Sequence, residues 1–330
     1  MAKFGYTMMC EQSSARQLVR DIVAAEGAGF DFSVISDHYQ PWLESQGHSP
    51  YAWSVLGAAA QATERIPLMT YVTCPILRYH PAVVAQKAAT VQALSGNRFR
   101  LGLGAGENLN EHVVGKRWPP VGERHEMLSE ALDVISLLFD GDGPASLRGK
   151  HFQLDSARLW DLPEQRVPVG VAVSGPSSCR LAGSKADLMI AVQAQAELGE
   201  MFDAAGGAGK PRVAQVAVAY DRDREAAVRR AYEQFRWFGL GWKVMADLPN
   251  PDAFAAATRF VTPEQVGESI ACGPDVEEHV AAVRAFLDAG FDEVAFVQIG
   301  ADTQHEFISW AERELLPELR SLAPDPATVG

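Results

Sequence analysis

The chain has 330 residues, 47% of them hydrophobic, and a formal net charge of -13. That charge leaves no basic face of the kind a nucleic-acid binder uses to neutralise phosphates, and without a long uncharged apolar run no membrane span is expected. The length exceeds a typical domain but suits an α/β barrel folded as one unit.

Taken in chain order, residues 4–9 read as the first strand, and Met1 to Tyr6 lack a signal-peptide layout, so a cytoplasmic protein is expected. Leu18, Ile22, Val23 and Ala25 recur at helical spacing, and Gly27 and Gly29 end that helix. Residues 32–35 form the second strand, 50–63 a helix, and 68–73 the third strand. A helix over 81–94 starts at Pro81, a favoured first-turn position. The turn Ser95-Gly96-Asn97 leads into a fourth strand over 99–103. A helix over 123–139 precedes an irregular excursion with a small hairpin near His151 to Leu154. Strands over 167–173, 188–192 and 213–220 follow, with a short helix at 177–183 and a turn at Gly206 to Gly209. Residues 222–238 are a long amphipathic helix. Residues 239–260 are aromatic and rich in Pro and Asn, long enough for a loop to read as a lid or a dimer contact. Helices over 262–270 and 274–289, a strand over 293–299 and a helix over 303–322 close the chain.

Eight strands alternating with helices predict a parallel sheet closed as a (β/α)8 TIM barrel, with a doubly wound open sheet as the runner-up. No early strand carries a dinucleotide fingerprint, which favours the barrel. The expectation is a single domain over 1–330, with excursions near 104–122, 140–166 and 239–262.

Barrels carry their active sites at the carboxyl ends of their strands. Asp37-His38 follows the second strand directly. Two readings stand for the pair: a ligand contact beside a general acid or base, or a turn cap beside a packed ring. Glu107 ends the run Gly102-Leu103-Gly104-Ala105-Gly106, whose glycines let backbone approach a ligand closely. The same run only partly matches a phosphate-binding fingerprint, because Glu107 stands where the last glycine belongs. Trp42 lies four residues after His38 in the same loop. Ser174-Gly175-Pro176-Ser177-Ser178 opens a helix, where free N–H groups favour an anion. Cys10, Cys74, Cys179 and Cys272 are far apart, so reduced thiols and no metal site are expected. Cys74 by itself reads as a small buried residue.

Three blocks together carry a resemblance: Ser36-Asp37-His38-Tyr39-Gln40-Pro41-Trp42, Pro75-Ile76-Leu77-Arg78-Tyr79-His80-Pro81-Ala82, and Gly104-Ala105-Gly106-Glu107-Asn108-Leu109-Asn110-Glu111. They resemble the luciferase-like oxidoreductases that use the deazaflavin coenzyme F420, and most of all the F420-dependent glucose-6-phosphate dehydrogenases. The resemblance implies a barrel with insertions, a homodimer, and a deazaflavin at the carboxyl ends of the strands. It implies that His38 takes a proton from a substrate hydroxyl, Glu107 protonates the ring nitrogen, Trp42 holds the oxidised intermediate, and Glu11 flanks the substrate. Asp37, Val72, Cys74, Asn110, Ser174, Gly175, Ser177 and Ser178 would hold the cofactor, with a cis peptide at Tyr71-Val72. Where the sugar-phosphate members carry cationic side chains, this chain has Gln195 and Ser269, the expected substrate contacts. A phosphate without cations loses its strongest contacts, so an alcohol or carbonyl compound other than glucose 6-phosphate is expected as the small-molecule substrate. An FMN-dependent monooxygenase of the same barrel is the alternative, and with it FMN as cofactor.

Overall fold

The computed structural model describes residues 2–322, so Met1 and residues 323–330 of the single-domain reading lie outside it. Its strands are β1 (Lys3–Met8), β2 (Phe32–Ile35), β3 (Leu68–Thr70), β4 (Phe99–Leu103), β5 (Ala145–Arg148), β6 (Gln153–Ala157), β7 (Val169–Ala172), β8 (Leu188–Ala191), β9 (Arg212–Ala219), β10 (Ala271–Cys272) and β11 (Glu293–Gln298). Strands β1, β2, β3, β4, β7, β8, β9 and β11 pair in parallel in that order. Pairing of β11 with β1, Lys3 opposite Glu293, closes the ring into an eight-stranded barrel. The sheet is therefore the closed form, not the open one.

Two apolar layers stabilise it. Phe32, Val34, Met69, Leu188, Ile190, Val213 and Ala295 fill the barrel interior. The opposite strand faces pack on the surrounding helices, with Phe4, Tyr6, Leu101 and Val169 among the buried residues. A parallel strand buried on both faces needs such near-continuous apolar runs. At the amino-terminal end of the barrel Glu293 bridges Lys3 and Arg100 at 3.1 Å and 2.7 Å.

Several expected boundaries move. Gly27 lies inside the helix Ala15–Ala28, and Gly29 alone makes the left-handed cap at φ 88°. Strand β3 stops at Thr70, short of the expected residue 73, and the Tyr71-Val72 bond is cis as the resemblance implies. The hairpin near residue 151 exists as the antiparallel pair β5 and β6. Residues 239–260 are less irregular than their composition implies: they hold the helices Trp242–Met245 and Pro251–Ala257, the latter capped by Asn250. The helix Ala196–Phe202 escaped the sequence pattern, and a π-helical turn at 311–315 interrupts the closing helix. Residue 262 caps the helix Pro263–Ser269 through a capping box with Gln265.

Candidate active site

One cavity opens at the carboxyl end of the barrel, lined by residues of β1, β7, β8, β9 and β11, by the loops after β1, β2, β3, β4, β7 and β8, and by the segment 235–245. At its polar end His38 lies between two carboxylates. Its Nδ1 is 3.3 Å from Glu11, its Nε2 is 3.5 Å from Glu107, and all three side chains are largely buried. Nδ1 also faces the Gln40 carbonyl at 3.1 Å. With two acceptors around it, Nδ1 carries the hydrogen of the neutral ring, which leaves Nε2 as the basic nitrogen on the Glu107 side. Ser36 Oγ donates to Glu11 and accepts from the Cys10 N–H, so the carboxylate behind the imidazole is itself held.

Trp42 stands beside His38, ring centroids 4.8 Å apart. Trp42 also stacks on Trp237 at 4.3 Å and 14°, and Phe254 meets it edge-on at 5.1 Å. Gln46 Oε1 accepts the Trp42 N–H and fixes the turn that presents the indole. Val72, next to the cis bond, also lines the cavity, as do Gly104, Ala105 and Gly106.

Other expected cofactor residues take a different place. Asp37 is 2% exposed and does not line the cavity. Thr73 and Trp53 donate to its Oδ2 at 2.7 Å and 3.1 Å, and Arg78 and Tyr79 to its Oδ1 at 3.2 Å and 3.3 Å. Four donors fill what a carboxylate can accept, so Asp37 holds the loops together rather than reaching a ligand. Cys74 is likewise outside the lining, packed beneath Gly106, and burial first and then Glu111 push its thiol well above the ordinary range. Asn110 is buried and donates to Glu107 Oε1, while its Oδ1 accepts from the Tyr39 and Gln40 N–H groups at 2.7 Å and 3.1 Å. It ties the loop after β2 to the loop after β4.

Ser174 and Ser178 do line the cavity, and the Ser174 N–H bonds Ser178 Oγ at 3.0 Å. They stand at the start of the helix Pro176–Lys185, whose first N–H groups have no partner within the helix. Gly175 precedes that helix without lining the cavity, and Ser177 faces an adjoining groove with Arg180. His125 lines both spaces, and burial lowers its pKa below the usual histidine value. Neither expected substrate residue reaches the site. Gln195 is an exposed cap of the helix Ala196–Phe202, and Gln193 lines the cavity instead. Ser269 is exposed at the end of its helix and donates to the Gln265 carbonyl. Its helix packs on the outer helix Arg224–Phe235, where Gly267 meets Val228, and Ser269 does not line the cavity. Gln193, Gln215, Thr7 and His125 carried no local sequence signal, since each is polar for reasons visible only across the barrel.

A closed parallel barrel whose strand ends bring an imidazole and two carboxylates into one cavity is that of a (β/α)8-barrel enzyme. A family model for luciferase-like monooxygenases matches residues 2–293. The F420-dependent glucose-6-phosphate dehydrogenase of Nakamurella multipartita is 35% identical over 97% of both chains, and that of Amycolatopsis mediterranei 33% over 98% and 100%. The chain belongs to the luciferase-like family, among its F420-dependent oxidoreductases. A structure of an F420-dependent secondary alcohol dehydrogenase with an F420-acetone adduct is 28% identical, with a TM-score of 0.87 over 97% of this chain and 99% of that one. The F420-dependent tetrahydromethanopterin reductase of Methanopyrus kandleri, 21% identical with a TM-score of 0.76 over 96% and 99%, shares the fold.

Proposed function

We propose that the protein transfers hydride between coenzyme F420 and an uncharged alcohol or carbonyl compound. The observation that carries this reading is the orientation of His38: Nδ1 is engaged by Gln40 and Glu11, and Nε2 faces Glu107 across the cavity.

The cavity suits a flat cofactor with an anionic arm. Val72, Ala172 and Ala191 offer apolar surface for a ring, and the helix start offers the N–H groups of Gly175, Ser177 and Ser178 for a phosphate. When bound, the deazaflavin supplies the two-electron carbon centre that accepts or donates hydride. The protein's own groups manage the proton. His38 Nε2 takes the hydroxyl proton as an alcohol becomes a carbonyl, and Glu11 and Glu107 stabilise the imidazolium from either side. Glu107, aligned by Asn110, holds the second proton position beside Ala105 and Gly106.

The substrate is not a sugar phosphate in this reading. Among the described residues that line the cavity there is no Lys or Arg, and a buried phosphate dianion without such partners is strongly disfavoured. Titration with coenzyme F420, followed by its ring fluorescence, tests the cofactor. Reduction of bound F420 by non-phosphorylated alcohols, beside glucose 6-phosphate, tests the substrate. Absence of saturable quenching, or turnover with the sugar phosphate alone, refutes the reading.

A further inference from the structure

Beyond the acid–base residues, the segment 235–245 contributes a cluster of large apolar side chains to the cavity lining. Trp237 is buried, and its Nε1–H donates to the Gln234 carbonyl at 3.0 Å, so the indole turns only carbon surface to the cavity. Phe235 backs it at 4.5 Å between centroids, and Phe238 stands edge-on to it at 6.2 Å. Trp242 and Met245 extend the wall from the next helix, Trp242–Met245. That helix is anchored over the cavity from the other side. The Asn108 N–H donates to the Ala246 carbonyl at 2.9 Å, and Trp118 Nε1–H to Asp247 at 3.0 Å. Trp42 joins this wall to His38.

We infer that the substrate is a secondary alcohol, or the matching ketone, bearing a ring-sized apolar body, and that Trp237 and Phe238 select it. The inference deepens the function proposed above and rests on it. The hydroxyl sits at His38 and the body lies on the aromatic wall. Several rings with no charged partner contribute to binding only through burial of apolar surface. A two- or three-carbon alcohol leaves most of that wall uncovered. Each further methylene buried adds about fourfold to affinity, so a six-membered ring gains on the order of fiftyfold over 2-propanol.

The test compares 2-propanol, cyclohexanol and 1-phenylethanol as reductants of bound F420, and acetone, cyclohexanone and acetophenone as ligands of the cofactor-free protein, the latter by tryptophan fluorescence and calorimetry. The expected result is tighter binding of the ring-bearing ketones and kcat/KM for the ring-bearing alcohols at least tenfold above 2-propanol. Trp237→Ala should collapse that ratio at least tenfold. Phe238→Ala, at a half-buried position that disturbs the fold less, should lower it by several-fold. Equal kcat/KM for 2-propanol and cyclohexanol, with F420 turnover intact, overturns this inference and leaves the proposed function standing. An unchanged ratio in both folded variants overturns the role of the wall. F420 that binds but is reduced by no alcohol overturns the proposed function, and this inference with it.

Discussion

Nε2 of His38 stands 3.5 Å from Oε1 of Glu107, although one follows β2 and the other follows β4. Between those strands lies only β3, and the parallel order β2-β3-β4 brings the two loops to one side of the barrel mouth. The distance is long for a hydrogen bond, so Nε2 holds no strong partner that a reacting hydroxyl would have to displace.

Removing the imidazole tests its role directly. His38→Ala should bind F420 within about threefold of the native affinity and lower turnover by about a hundredfold or more, the scale of a lost acid–base group. Fluorescence titration and steady-state rates on the same preparation check it. A variant that keeps native turnover removes His38 from the chemistry.

Asn110 joins the two loops. Asn110→Ala leaves the Tyr39 and Gln40 N–H groups without their acceptor and releases Glu107. Unsatisfied buried donors cost about 1–3 kcal/mol each at most, so a drop of several degrees in melting temperature is expected, with kcat reduced more than F420 affinity. Asn110→Asp keeps the acceptor for the two N–H groups but sets a second carboxyl against Glu107. It should recover stability better than kcat, and recovery of both would deny Asn110 its positioning role.

Glu111 gives a pH signature. Burial, against the donation of the Arg78 N–H, raises its pKa from 4.5 to about 7. A carboxyl with a raised folded pKa binds a proton on folding, so its contribution is full below about pH 4.5 and is lost as pH rises through 7. The cost of ionising it in place is on the order of 3 kcal/mol. Glu111→Gln should therefore melt close to the native protein at pH 5 and increasingly above it by pH 8.5. Parallel melting curves across that range would contradict the assignment.

Gly106 holds the Glu107 turn at φ 73°, and a Cβ there would run into Cys74 Sγ and Glu111. Gly106→Ala should destabilise by about 1–3 kcal/mol from the left-handed backbone alone, with more from the contact. Loss of F420 binding should exceed that of His38→Ala, because the displaced backbone lines the cavity. Thermal denaturation and F420 titration read the two effects separately.

Much of the architecture was legible from local patterning. Residues 32–35, 81–94 and 99–103 fall where the structure has β2, the helix Pro81–Leu94 and β4, because apolar runs and Gly or Pro punctuation are properties of adjacent residues. Local chemistry also marked His38 and Glu107 as side chains at the ends of buried strands, and the residues of both loops carried the family. Their partners were not legible. Asp37 reads as a ligand contact until Trp53, Thr73, Arg78 and Tyr79 are seen to saturate it. Asn110 reads the same way until its amide is found bridging two loops. Ser269 and Gln195 follow from the resemblance alone, and both are exposed side chains outside the cavity lining. The aromatic wall of Trp237 and Phe238 carried only a helix pattern. Sequence by itself determined which segments are buried strands and which polar residues end them, since that follows from short-range hydrophobicity and turn preferences. Tertiary structure decided which side chains share the cavity and which are consumed in holding it, because closure of the barrel sets distances between residues that no local interaction relates.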